Sequence, residues 1–121
     1  MTQEEKQLLI KDLCARLPYG VKVKNVKNNF DINIFNHNVE EIKFLIEEYN
    51  IKPYLRPMLS MTEEEKKEYD EISGQVKTFY GREAESHECA KLTDWLNAHH
   101  FDFRNLIEKG LAIDCTNLNI Y

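Results

Sequence analysis

Histidines and cysteines in the last third of the chain are the residues whose types could bind a metal. They are His87, Cys89, His99, His100 and Cys115. Zinc prefers imidazole and thiolate ligands, which must converge on one tetrahedral ion. On the helix that we predict over 84–99, Cys89 and His99 lie about 15 Å apart along the axis, and His87 falls on the opposite face. The remaining combination is His99, His100, Asp102 and Cys115. No ligand spacing indicates that these four converge, so we predict neither a metal site nor a cofactor.

Serine and cysteine nucleophiles need a base and an orienting group beside them. Ser60, Ser73 and Ser86 stand in no nucleophile-elbow motif, and the sequence has no glycine-rich phosphate loop. Cys14 falls on the apolar face of the first predicted helix, where a thiol is inert. Any two of the 21 acidic residues could pair for hydrolysis, but no spacing selects a pair. We therefore predict that the protein is not an enzyme. The alternative is a small metal-dependent hydrolase that uses His99 and His100.

The structural interpretation of His99 depends on its place in a helical stripe. At 100° per residue the stripe contains Cys89, Leu92, Trp95, Leu96 and His99. A histidine one turn after a tryptophan is typical of a hydrogen-bonded core or boundary residue. Because imidazole can change its charge near neutral pH, His99 is also a candidate pH-sensitive residue.

Two stretches have the composition of a protein-binding surface. The first is an acidic helix start with Glu63, Glu64, Glu65, Glu68, Asp70 and Glu71. It could dock a basic partner, or it could be a solvated helix face. The second contains Tyr54 and Arg56, residue types that are enriched at interface hot spots. Pro53 and Pro57 bracket these two residues, so the alternative is a stiff connector that lies across the core.

The net charge of −5 is concentrated in the second half of the chain. Residues 1–60 contain 9 Lys and Arg against 8 Asp and Glu, whereas residues 61–121 contain 7 against 13. An acidic surface repels phosphate backbones, so we predict no direct binding of nucleic acid. The same surface suits a basic protein, including one with a basic nucleic-acid groove.

Length and composition indicate one globular domain over residues 1–121. The chain is 42% apolar, yet no apolar run approaches the roughly 18 residues of a membrane span. Met1 is followed by Thr-Gln-Glu-Glu-Lys, which does not have the pattern of a signal peptide. The three cysteines form no CxxC pair, so we expect reduced thiols. These features predict a cytoplasmic protein without a membrane partner.

The elements that must position these residues have recognisable start and stop signals. Capping boxes begin at Thr2 and Thr62, and Asn38 with Glu41 offers a third helix start. Period-two alternation predicts a β-hairpin over 21–35. For the rest we predict an extended connector over 51–61, a strand or irregular link over 73–83, a short helix from Asp102 to Lys109, and an edge strand from Leu111 to Ile113. The fold class is therefore α+β, with a small antiparallel sheet packed by three or four helices.

Three stretches carry a resemblance to a known family. They are MTQEEKQLLIKDLCARLPYGVKV (1–23), IKPYLRPMLSMTEEEKK (51–67) and DWLNAHHFDFRNLIEKGLAI (94–113). The chain resembles a family of small uncharacterised proteins from phages, prophages and mobile elements of gut Bacteroidota. Residues 24–50, 68–93 and 114–121 depart from the pattern. The resemblance implies an accessory protein whose variable parts select a partner on a shared scaffold. It implies no catalytic residue.

Together these observations predict a phage-type interaction protein that binds a host or phage protein. The specific case is an inhibitor of a host defence nuclease, in the manner of an anti-CRISPR protein. Besides the hydrolase, a second alternative is a structural or assembly factor that associates with itself through Trp95 or Tyr54.

Overall fold

The computed structural model describes residues 1–80, 86–118 and 120–121, and the side chains of these residues outside 73–90. Within this part the helices are α1 (Gln3–Arg16), α2 (Val39–Tyr49), α3 (Glu63–Tyr80) and α4 (Ser86–Ala98). The strands are β1 (Val21–Asn25), β2 (Phe30–Ile34), β3 (Ile51–Pro57), β4 (Phe101–Asp102) and β5 (Ile113–Asp114). The predicted α+β class is confirmed.

The sheet is built around the predicted hairpin, which is confirmed. β1 and β2 pair antiparallel, with Val21 opposite Ile34 and Asn25 opposite Phe30. The other edge of β1 pairs antiparallel with β3. β3 also pairs parallel with the short strands β4 and β5. The sheet is therefore mixed rather than wholly antiparallel, because the chain returns to β3 from α4 in the same direction.

Capping explains where the first two helices begin. The Thr2 hydroxyl accepts a hydrogen bond from the Glu5 amide, and the Glu5 carboxylate accepts one from the Thr2 amide. Asn38 and Glu41 repeat this reciprocal arrangement at the start of α2. α2 ends at Tyr49, and the left-handed backbone of the next residue, Asn50 (φ 52°), caps the helix. The apolar residues of both helices pack with those of the sheet in one core. This core includes Leu9, Leu13, Ile42, Val23 and Leu55.

Three stretches differ from the sequence prediction. Residues 51–57 form the strand β3 rather than a bare connector, and Met58–Ser60 form one 3₁₀ turn. Residues 73–80 continue α3 and are not a strand or link, whereas 81–83 lie outside the described residues. Residues 102–109 do not form a helix, because Asn105 has a left-handed φ of 60°. The Asp102 carboxylate instead accepts hydrogen bonds from the amides of Leu106 and Ile107.

The chain ends with β5 and a turn. The edge strand predicted for 111–113 begins two residues later, at Ile113. None of the described helices is both long and apolar enough to cross a lipid bilayer.

Candidate functional site

The acidic residues at the start of α3 separate into two groups in the structure. Glu63, Glu64, Asp70 and Glu71 are exposed. At about 100° per residue these four side chains occupy roughly a third of the helix circumference. We call this surface the α3 acidic face. Lys67 lies within the same arc and offsets part of the charge.

Glu65 faces inward and is held by Arg56. The Arg56 guanidinium donates to both carboxylate oxygens of Glu65, at 2.7 and 2.5 Å. Glu65 also completes a capping box with Thr62, whose amide donates to it. Hydrogen bonds from Arg56, opposed by burial, lower the pKa of Glu65 to about 2. Glu65 and Arg56 therefore brace α3 against β3, and their charged groups are paired with each other.

The Arg56 side of this ion pair packs on a stack of aromatic rings. The Arg56 guanidinium lies 4.3 Å from the centre of the Phe101 ring, a cation–π distance. Trp95 stacks on His99 with ring centres 4.3 Å apart, and on Phe101 at 5.7 Å. We call Arg56, Glu65, Trp95, His99 and Phe101 the Arg56 cluster. It couples α3, α4, β3 and β4.

Trp95 connects the Arg56 cluster to the surface. Its indole Nε1–H donates to the exposed Glu68 carboxylate at 3.0 Å, and Tyr69 packs beside the ring. His99, the candidate pH-sensitive residue, has Nδ1 at 2.8 Å from the Trp95 carbonyl oxygen. The half-buried Trp95 thus borders the α3 acidic face, and His99 serves as its stacking partner.

Tyr54, predicted as a partner-binding residue, is buried. Its hydroxyl donates to the Asp31 carboxylate at 2.6 Å. Burial and this carboxylate raise the pKa of Tyr54 to about 12. The residue cross-links β3 to β2 and offers little surface for a partner or for self-association.

The last residue of the chain bridges two strands. The Tyr121 hydroxyl accepts from the Lys22 amide and donates to the Tyr54 carbonyl, both at 2.9 Å. The β1–β3 register would place Lys22 opposite Tyr54, so the hydroxyl replaces direct pairing there. The Tyr121 ring stacks on His100 with centres 3.6 Å apart.

The surroundings of His100 change its chemistry. Burial, followed by the charges of Arg16, Arg56 and His99, lowers the pKa of His100 from 6.5 to about 4. Its Nδ1 is buried and has no hydrogen-bond partner among the described residues. His100 also has a left-handed backbone, with φ of 64°. The neutral ring therefore serves to hold Tyr121.

A polar cleft of about 320 Å³ lies between β3, the start of α3 and the chain end. Arg56, Ser60, Glu65, Cys115 and Tyr121 contribute to its walls. Burial raises the pKa of the Cys115 thiol, which opposes thiolate formation. The Ser60 hydroxyl donates to the Pro57 carbonyl, and Glu65 neutralises Arg56. Among the described residues, the cleft walls thus bring together no activated nucleophile and no uncompensated cation.

Metal binding finds no geometric support in the described part of the chain. No three His, Cys, Asp or Glu side chains come together there. His99 and His100 stack on different aromatic rings, Trp95 and Tyr121 respectively. The side chains of His87 and Cys89 lie outside the described residues. The hydrolase alternative therefore has no such cluster among the side chains that the structure describes.

A comparison with known proteins gives no further assignment: no protein-family model matches this chain, and no curated protein or solved structure is significantly similar to it.

Proposed function

We propose that this chain is a non-enzymatic interaction protein of a phage or mobile element. It binds a protein partner through the α3 acidic face, with Trp95 and Glu68 at the border of the contact. The observation that carries the proposal is that the acidic residues of α3 have different environments. Glu65 is used internally, whereas four neighbouring carboxylates remain exposed on a helix that the Arg56 cluster holds in place.

The chemistry of this face favours a basic partner. Exposed carboxylates speed the approach of a positively charged surface and select against acidic ones. A half-buried tryptophan is a residue type that anchors such contacts. The partner that we propose is a host protein with a basic nucleic-acid groove, and the specific case is a defence nuclease. Occupation of the groove would inhibit that enzyme by blocking its substrate.

Capture of the partner from host lysate tests the proposal when two variants of equal charge are compared. The first variant combines Glu63→Gln, Glu64→Gln, Asp70→Asn and Glu71→Gln. The control combines Glu4→Gln, Glu40→Gln, Glu48→Gln and Glu108→Gln, four exposed residues outside the face. The wild type and the control should retain a nucleic-acid enzyme, identified by mass spectrometry and inhibited on addition of the pure protein. The face variant should lose both capture and inhibition.

Two results would contradict the proposal. One is the absence of any stable protein partner for the wild type. The other is equal loss of capture in both variants, because net charge alone would then account for binding.

A further inference from the structure

Strand β2 lies at one end of the sheet, and among the described residues it pairs only with β1. Natural edge strands are usually protected against further pairing by lysine, proline or a bulge. Residues 28–37 contain neither Lys nor Pro, and Asp31 is their only charged residue in a chain that is 31% charged. Asp31 is thus the one charged side chain that protects the edge of β2 against another strand.

The hydrogen bonds of Tyr121 show which amides of β2 point outward. The Lys22 amide points toward β3, since it binds the hydroxyl that also contacts Tyr54. Amides alternate in direction along a strand, so those of Val21, Val23 and Asn25 point toward β2. Their partners across the hairpin are Ile34, Ile32 and Phe30. The backbone groups of Asp31 and Asn33 therefore point away from the sheet.

We propose that two copies of this chain associate through β2 as an antiparallel pair with two-fold symmetry about Ile32. Asp31 of each copy then faces Asn33 of the other, and their outward amides and carbonyls form hydrogen bonds across the new interface. This register uses the full length of β2 and joins two sheets into one.

Side-chain chemistry favours a second copy as the occupant. Asp31 Oδ1 accepts from the Tyr54 hydroxyl of its own chain, so in this register the Asn33 amide of the other copy faces a carboxylate with one oxygen left to accept, whereas symmetry about Asp31 would oppose two carboxylates. On the core side, Phe30 lies opposite residue 34 of the other copy, whose isoleucine is buried in its own core, and the two half-buried Ile32 residues lie opposite each other. Phe30 is 50% exposed in the single chain, and Phe35 just beyond the strand is 65% exposed. Contact at this edge removes apolar surface from water.

Charge repulsion acts against any association of two copies, and its size depends on where they meet. Two copies with a net charge of −5 each repel one another. Residues 28–37 carry one charge, so contact at β2 brings few charges of the two copies together. The α3 acidic face lies on a different element, so the proposed pair is independent of the proposed function.

Sedimentation equilibrium of the full chain at micromolar concentrations tests the pair. The wild type should approach twice the 14.4 kDa mass of one chain. Asn33→Asp places a carboxylate opposite Asp31 of the other copy and should raise the dimer dissociation constant at least about tenfold. Within its own hairpin residue 33 faces Lys22, so the added charge should not unfold the chain. The matched control is Asn117→Asp, an exposed position in the C-terminal turn, which should behave as the wild type.

A second variant and a second measurement locate the interface. Asn33→Pro removes an outward amide, a change that edge strands tolerate, and should give a monomer. In hydrogen exchange, the amides of Asp31 and Asn33 should become protected as the wild-type concentration rises. A wild type that stays monomeric would overturn the proposal. So would dimers of undiminished affinity in both Asn33 variants, or concentration-dependent protection that leaves out Asp31 and Asn33.

Discussion

The carboxylate of Asp12 and the guanidinium of Arg16, one turn apart on α1, form an ion pair in which neither side chain is exposed. The Arg16 Nε and Nη2 atoms donate to the two Asp12 oxygens at 2.8 and 3.0 Å. Arg16 also donates to the Phe101 carbonyl, and Arg104 donates to Asp12. The pair thus connects α1 to β4 and to the segment that follows β4. It contacts the Arg56 cluster through the Phe101 carbonyl.

Replacement of Asp12 should be strongly destabilising. Asp12→Ala leaves the Arg16 charge buried without its counterion, which typically costs about 3–5 kcal/mol of unfolding free energy. Urea denaturation followed by circular dichroism measures the loss. The control is Glu40→Gln, which removes the exposed Glu40–Lys43 pair and should cost less than about 0.5 kcal/mol. Equal effects of the two variants would show that the buried pair has no special role.

Removal of one oxygen atom from Tyr121 should loosen the junction of β1 and β3. Tyr121→Phe keeps the ring on His100 but leaves the Lys22 amide and the Tyr54 carbonyl without their shared partner. We expect a loss of about 1–3 kcal/mol in unfolding free energy. Faster hydrogen exchange at the Lys22 amide should accompany it. Tyr49→Phe is the control, since the Tyr49 hydroxyl takes no part in the described hydrogen bonds. Unchanged exchange at Lys22 would argue against the bridge.

Stability should fall as the pH drops from 6.5 to about 4, the window set by His100. The unfolded chain binds a proton at the ordinary pKa of 6.5, whereas the folded chain resists protonation until about pH 4. The neutral His100 ring therefore makes its full contribution to the free energy of unfolding above pH 6.5. This contribution is lost as the pH falls from 6.5 to about 4. After discounting for partial solvent access, the change is about 2 kcal/mol.

Chemical denaturation at several pH values checks this loss, and NMR titration of the ring reports the pKa directly. His100→Asn retains a residue that tolerates a left-handed backbone, and it should flatten the stability profile between pH 6.5 and 4.5. A His100 ring that titrates at its ordinary pKa would contradict the prediction.

The same substitution should destabilise the protein at Glu65 and leave its stability almost unchanged at Glu64. Glu65→Gln weakens a two-point contact with Arg56 and should cost about 1–3 kcal/mol of unfolding free energy. Glu64→Gln, on the exposed α3 acidic face, should leave stability within about 0.5 kcal/mol. Thermal and urea unfolding of the two variants in parallel provides the measurement. Similar stability of both would place Glu65 among the exposed carboxylates.

Local signals were sufficient for much of the fold. The capping boxes at Thr2 and Asn38 and the alternation in 21–35 act through neighbours in sequence, so the corresponding elements could be predicted. β3 could not, because Pro53 and Pro57 indicate a connector locally and pairing with β1, β4 and β5 overrides that indication. The helix predicted for 102–109 failed for a similar reason: the Asp102 side chain organises the turn.

The candidate site was only partly predictable. The acidic composition of α3 could be read directly, but the capture of Glu65 by Arg56 depends on packing between α3 and β3. Asp12 and Arg16 were missed, although their spacing of four residues on one helix was an available signal for an ion pair. Tyr121 has no signal in sequence, because its two hydrogen-bond partners lie 99 and 67 residues away.

Trp95 is the only tryptophan of the chain, and its indole lies between an aromatic stack and the Glu68 carboxylate at the edge of α3. Its fluorescence therefore originates from a single place next to the α3 acidic face. A molecule that covers Glu68 would change the polarity around this one fluorophore, so the protein carries its own optical probe for titrations without an added label.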